Sequence, residues 1–116
     1  MEYIYTRKQA IEDGVLVEIS ESFTKEAGIK IPVAMTSALY HGYIASDVLG
    51  QDLKGRMWDT FMVFHLSAKG SKSDTIFFEV VFQMSDGKKE TVRLKAIISP
   101  GDTMAPVLTI MLHFED

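Results

Sequence analysis

Residues 76–84 alternate between apolar and other side chains, and this period of two constrains the fold more than any other feature of the sequence. The apolar positions of this segment are Ile76, Phe78, Val80, Phe82 and Met84. Residues 91–98 continue the pattern, with Val92, Leu94, Ala96 and Ile98 as its apolar positions. A period of two places successive side chains on opposite faces of a β-strand. The sequence therefore predicts two consecutive strands, near residues 75–84 and 88–98.

The length of the turn decides how these two strands pair. A two-residue turn would put their apolar sets on opposite faces, a slip that no core tolerates. A three-residue turn that ends at Gly87 places a glycine where a left-handed residue is required. It pairs Val80 with Val92 and sets Glu79 opposite Arg93, a favourable cross-strand charge pair. We therefore predict antiparallel pairing in this second register.

Capping signals predict a short helix and a short strand at the start of the chain. Residues 6–9, Thr-Arg-Lys-Gln, have the form of a capping box, and Gly14 suits the left-handed end of a helix. A helix is therefore expected at 7–13. The alternating apolar residues that follow predict a strand at 15–19.

Three further helices are expected between these elements and the hairpin. The first ends at Gly28, and Pro32 suits the first turn of the second, which runs to about Ala45. The third, at 51–68, is indicated by an apolar stripe with helical spacing. The members of this stripe are Leu53, Met57, Phe61, Phe64 and Ala68.

Together these elements predict an α+β fold. N-terminal helices and a short strand would pack on a C-terminal antiparallel three-stranded meander, with strands near 75–84, 88–98 and 106–114. A chain of 116 residues fits one domain, here 1–116.

Charge and composition exclude several classes of protein. The net charge of −4 argues against a general binder of the phosphate backbone, which needs clustered positive charge. With no cysteine there is no disulfide framework and no zinc–thiolate site. No secretory signal and no membrane-spanning run is recognised, so we expect a cytoplasmic protein that does not bind membranes.

No motif for catalysis, cofactor binding or metal binding is recognised, so we expect no enzyme, no cofactor and no metal. His65 falls within the apolar stripe and is interpreted as a packed, hydrogen-bonded side chain. Asp52 and Arg56 are spaced as an i,i+4 pair and are interpreted as a solvated ion pair.

One basic stripe offers an alternative function. Lys89, Arg93 and Lys95 share the outward face of one predicted strand, although Glu79 opposes them. Such a stripe could contact a nucleic acid.

The more informative oddity is apolar surface on faces that should be polar. Met62, Val63 and Leu66 fall on or near the polar side of the 51–68 helix. The outer face of the sheet would carry Phe77, Val81, Ile97, Val107 and Met111. Either helices cover both faces of the sheet, or these residues form a surface for a protein partner or for self-association.

A series of blocks along the chain is distinctive when taken in order: Thr6–Val17, Ala27–Gly28, Pro32–Ala34, Gly50–Asp52, Gly55–Asp59, Lys95–Ala96, Pro100–Asp102, Pro106–Leu112 and Glu115–Asp116. Together these blocks resemble a small uncharacterised protein family carried on bacterial plasmids, integrative elements and phages. The likeness covers nearly the whole chain and departs at 61–74 and 113–114. It implies an accessory role on a mobile element, with anti-defence or regulatory binding as examples, and it transfers no catalytic residue. A non-catalytic protein-binding module, able to form a homodimer, is the first hypothesis, and a small nucleic-acid-associated protein is the second.

Overall fold

Five strands form one mixed sheet in the computed structural model, which describes residues 5–45, 53–84 and 87–115. The elements are α1 (Arg7–Glu12), β1 (Leu16–Glu18), α2 (Glu21–Glu26), β2 (Val33–Thr36), α3 (Ser37–Leu39) with a π-helical turn (Tyr40–Ile44), α4 (Leu53–Ala68), β3 (Thr75–Gln83), β4 (Lys89–Pro100) and β5 (Pro106–Leu112). The strand order is β1-β2-β5-β4-β3. Strands β2 and β5 run parallel, and the other neighbours are antiparallel. The α+β class is confirmed.

Strands β3 and β4 pair in the predicted register. Val80 lies opposite Val92, and Glu79 lies opposite Arg93. Gly87 has a φ of +79°, the left-handed conformation that the predicted turn requires. Residues 85 and 86 of that turn lie outside the described residues.

The predicted helix from Pro32 to Ala45 is wrong over its first part, which is strand β2. All four residues of Val33–Thr36 are buried. β2 pairs with β1 on one side and with β5 on the other, so its backbone is satisfied by neighbouring strands. A short apolar run buried on both faces cannot be told from a buried helix by periodicity. Helix begins only at Ser37, where the hydroxyl of Thr36 accepts a hydrogen bond from the N–H of Leu39.

The predicted three-stranded meander is therefore not the whole sheet. Strands β3, β4 and β5 are part of a five-stranded mixed sheet in which β5 lies next to β2. The helices predicted to pack on a meander instead pack on this larger sheet. α4 covers β3, and the rings of Phe64 and Phe78 lie 5.9 Å apart. The ring centroids of Phe23, which belongs to α2, and Phe61 lie 5.7 Å apart.

Helix α1 is fixed at its N-terminus by two sets of hydrogen bonds. Thr6 and Gln9 form the predicted capping box. The carboxylate of Asp102 accepts hydrogen bonds from the backbone N–H groups of Arg7 (2.9 Å) and Lys8 (3.0 Å). Four N–H groups of a helix start lack partners within the helix, and these contacts satisfy some of them.

Helix α1 and the C-terminal segment cover half of the second sheet face. The guanidinium of Arg7 donates to the hydroxyl of Thr109 at 2.7 Å, and Ala10 is buried. The carboxylate of Glu115 accepts a hydrogen bond from the hydroxyl of Thr36 at 2.7 Å. Side chains of β2 and β5 on this face are thus enclosed.

This cover corrects two predicted surface residues, because Val107 and Met111 are buried. Val107 lies so close to Gly101 that a Cβ there would be 2.8 Å from its Cγ1. Met111 lines a cleft together with Ala10 and Glu115. Both side chains point to the predicted face, but α1 and the segments around it occupy that face.

Candidate functional site

The second sheet face stays open over β3 and β4. We use the term open face for the side chains of Phe77, Glu79, Val81, Thr91, Arg93 and Ile97. Phe77 is 49% exposed and Val81 is 54% exposed, whereas Ile97 is half-buried. The alternate residues of β3 are buried in the core, namely Ile76, Phe78, Val80 and Phe82. The strand therefore presents two large apolar side chains on the face that no described helix covers.

A charged group lies on the aromatic ring of the open face. The guanidinium carbon of Arg93 is 5.0 Å from the ring centroid of Phe77. Arg93 also lies in register with Glu79 on the neighbouring strand. A guanidinium on an aromatic face is attracted by the ring quadrupole. The open face thus combines an aromatic ring, a cation and an anion within two neighbouring strands.

The predicted basic stripe is divided by these contacts. Arg93 contacts Phe77, and Lys95 is half-buried and donates a hydrogen bond to the carbonyl of Glu115. Lys89 is exposed at the start of β4, opposite Gln83. The structure therefore does not hold the three cations as one uniform charged row.

The outer edge of β3 is a second feature of the site. The N–H of Met84 donates to the carbonyl of Lys88, on the β4 side of β3. Because backbone groups alternate in direction along an antiparallel strand, those of the odd-numbered residues of β3 point away from β4. The backbone groups of Phe77, Glu79 and Val81 therefore point to the outer edge. β3 is terminal in the strand order of the described residues. Edge strands with unpaired backbone groups are templates for pairing with another chain.

The side chain of Arg56 closes one end of this edge. It donates hydrogen bonds to the carbonyls of Gln83 and Tyr43, and its guanidinium lies 5.8 Å from the ring centroid of Phe82. Arg56 is only 4% exposed, so the prediction that its side chain is solvated is wrong. Asp52, its predicted ion-pair partner, lies outside the described residues. Burial lowers the pKa of Arg56. A helical wheel could not find this role, because the two carbonyls come from distant segments.

The predicted apolar surface residues of α4 lie away from the open face. Met62 and Leu66 are exposed, and Val63 is half-buried against the core. Since α4 packs on the core face of the sheet, these residues are on the opposite side of the sheet from Phe77 and Val81. The eight predicted surface residues therefore do not form one patch.

His65 is hydrogen-bonded as predicted, because its Nε2 lies 2.7 Å from the carbonyl oxygen of Ala27 and donates to it. The predicted packing is wrong, since His65 is exposed. Within residues 5–45, 53–84 and 87–115, no group of three or more His, Asp or Glu side chains is arranged to hold a metal ion. The same residues include no helix with the length and apolarity that crossing a membrane demands.

Comparison with known proteins gives one match. The model described as "Family of unknown function (DUF6573)" matches residues 1–116. Neither the search of curated proteins nor the search of solved structures gives a match. The chain therefore belongs to the DUF6573 family, a family of unknown function.

Proposed function

We propose that this protein is a non-catalytic protein-binding module and that the open face is its contact surface. The observation that carries the proposal is the exposure of Phe77 and Val81, which stand two residues from Glu79 on a strand whose alternate residues are buried. Contiguous exposed apolar residues rimmed by polar groups mark interaction sites. Aromatic and arginine side chains are also enriched in protein interfaces.

The chemistry of the open face suggests what a partner would offer. An apolar side chain would cover Phe77 and Val81. A carboxylate would approach Arg93, whose guanidinium already lies on the Phe77 ring. Such anchoring by an aromatic residue and an arginine is typical of the few residues that dominate binding energy.

The setting of this function is a finer proposal. We infer an accessory role on a bacterial plasmid, integrative element or phage, acting on a defence or regulatory protein of the host cell. The support is the resemblance of the ordered sequence blocks described above. The location would then be the cytoplasm.

The alternative function, contact with a nucleic acid through Lys89, Arg93 and Lys95, has less support. Two of these side chains already contact Phe77 and the Glu115 carbonyl, and the chain carries a net charge of −4. Phosphate contacts are strongest at low salt. A gel-shift titration at low salt is therefore expected to show no shift, and a shift that Lys89→Ala and Arg93→Ala abolish would favour the alternative.

The proposed function is tested by comparative capture from a bacterial host lysate. The bait is the full chain, and the variant Phe77→Ser/Val81→Ser removes the two apolar side chains of the open face. Met62→Ser/Leu66→Ser is the matched control, because it removes two exposed apolar side chains on the other side of the sheet. We expect a partner that the wild type and the α4 variant retain and the open-face variant loses. Equal retention by all three chains would overturn the proposal.

A further inference from the structure

We infer that β3 binds the β3 strand of a second copy of this chain, antiparallel and centred on Phe78, so that two sheets join into one. The inference rests on the proposed function, because it names a partner for the same strand. It is carried by the backbone groups at the outer edge of β3 and by the charges beside them.

The number of available edge residues limits the pairing. Thr75, Phe77, Glu79 and Val81 turn their N–H and C=O groups to the outer edge, by the alternation set at Met84. The N–H of Thr75 already donates to the hydroxyl of Ser73 at 3.1 Å, so Thr75 offers its carbonyl. Gln83 also faces this edge, but its carbonyl accepts a hydrogen bond from Arg56. A pairing strand should therefore use the carbonyl of Thr75 and the backbone groups of Phe77, Glu79 and Val81, and leave Gln83 out.

One register of the symmetric pair meets this condition. When the twofold axis passes at Phe78, Thr75 lies opposite the partner's Val81 and Phe77 lies opposite the partner's Glu79. Phe77 and Glu79 are then paired through both backbone groups. The carbonyl of Thr75 accepts from the N–H of the partner's Val81, while the N–H of Thr75 keeps its bond to Ser73. A centre at Phe77 leaves Val81 opposite residue 73, before the start of β3. A centre at Glu79 sets Thr75 opposite Gln83, and a centre at Val80 sets Phe77 opposite Gln83, whose carbonyl is occupied.

The charges favour the same register. A centre at Glu79 sets two glutamates directly opposite each other, which is destabilising in a sheet. A centre at Phe78 sets each glutamate beside an aromatic ring on which Arg93 of that other copy lies. Each Glu79 is thus next to an arginine on both sides, its own by register and its partner's across the new pair.

The geometry also joins the two open faces. In an antiparallel pair within one sheet, the symmetry axis is perpendicular to the sheet, so the same face of both copies points the same way. Both Phe77 rings and both Val81 side chains then lie on one continuous surface. A dimer would present the binding residues of the proposed function twice, side by side.

Disulfide trapping tests the register, because the chain contains no cysteine. Hydrogen-bonded antiparallel pairs have Cα atoms about 5.5 Å apart, which suits a disulfide. Two differently tagged chains, Thr75→Cys and Val81→Cys, are mixed and oxidised. We expect a crosslink between the two tags, and little when either variant is oxidised alone. Glu79→Cys oxidised alone reports the competing register centred at Glu79, and its efficient crosslinking would overturn the inferred one.

Sedimentation equilibrium tests the association without cysteines. The wild type is expected to approach twice the chain mass of 13.0 kDa as concentration rises. Val81→Pro removes an outward N–H without removing a β4 ladder bond, and we expect the dissociation constant to rise about tenfold or more. Val81→Thr keeps the N–H and is the matched control, and circular dichroism checks that both variants fold.

The outcomes separate this inference from the proposed function. A wild type that stays monomeric at the highest soluble concentration overturns β3 pairing, even if the open face still captures another protein. A dimer trapped in the Phe78-centred register, with capture unaffected by the open-face variant, supports β3 pairing and overturns only the proposed function.

Discussion

The guanidinium of Arg93 lies 5.0 Å from the ring centroid of Phe77, and the two side chains come from neighbouring strands. We predict that they stabilise each other by about 0.5–1 kcal/mol, the range of a cation–π pair at an exposed site. Urea unfolding of Arg93→Ala, Phe77→Ala and the double variant would measure this coupling. Arg93→Ala with Leu66→Ala is the control cycle and should be additive. Additivity of the first cycle would contradict the contact.

Asp102 gives the chain a predicted dependence of stability on acid pH. The hydrogen bonds from the N–H groups of Arg7 and Lys8 lower the pKa of Asp102 from its ordinary value of 3.8. The unfolded chain therefore binds this proton more readily, so stability rises with pH through this window. The contribution is complete above pH 3.8 and is lost as pH falls through the lower pKa of the folded protein.

Urea midpoints of the wild type and Asp102→Asn, measured from pH 2 to pH 6 as an experimental range of about four units, would check this prediction. We expect the wild type to be more stable at the upper end and the difference to shrink as the pH falls below 3.8. Asp13→Asn, at the C-terminal end of α1, is the control variant for Asp102→Asn. A difference between wild type and Asp102→Asn that does not depend on pH would rule out the linkage.

Arg56 is predicted to stabilise the fold far more than an exposed helix residue does. Arg56→Leu would remove the donors that contact the carbonyls of Tyr43 and Gln83. A hydrogen bond to a charged group contributes about 1.5–3 kcal/mol, and these two are part-buried, so we expect a loss of about 2–4 kcal/mol in the free energy of unfolding. Asp59→Leu, on the exposed side of the same helix, should change it by about 0.5 kcal/mol or less. Similar losses for both variants would show that Arg56 has no special role.

Gly101 is predicted to tolerate no side chain. A Cβ at this position would lie 2.8 Å from Cγ1 of Val107 and 3.3 Å from the carbonyl oxygen of Ala105. We expect Gly101→Ala to lower the free energy of unfolding by about 1–3 kcal/mol, as overpacking does. Gly42→Ala meets nothing within 4 Å and should be neutral or stabilising. Thermal unfolding of the two variants side by side would show the contrast, and equal midpoints would contradict it.

Local signals in the sequence predicted much of the fold. The alternation around Val80 and Val92 fixed both strands and their register, because a slip of one residue would move every apolar side chain to the wrong face. The capping box at Thr6 located the start of α1 for a similar reason, since its two hydrogen bonds are local.

The errors concern contacts between distant segments. The run Val33–Thr36 became a strand because β5, some 75 residues further along the chain, runs beside it. Val107 and Met111 were placed on the correct face, but nothing in their own strand indicated that α1 would cover them. The burial of Arg56 was missed for the same reason, since the carbonyls that accept its hydrogen bonds lie on the π-helical turn and at the end of β3. Of the candidate site, Phe77, Val81 and Arg93 were found because no described helix covers this part of the sheet, so their exposure follows the alternation within β3 and β4.

The central position of β5 has a consequence for the order of folding. β1 pairs with β2 and β3 pairs with β4, and in the part of the chain that the structure describes β5 alone lies between these two pairs. It is also the last of these five strands to be synthesised. A nascent chain that has not yet reached Pro106 holds two separate strand pairs and no strand to join them. Closure of the sheet must therefore wait for β5, and the long sequence separation of its contact with β2 is expected to make refolding slow for a chain of this size.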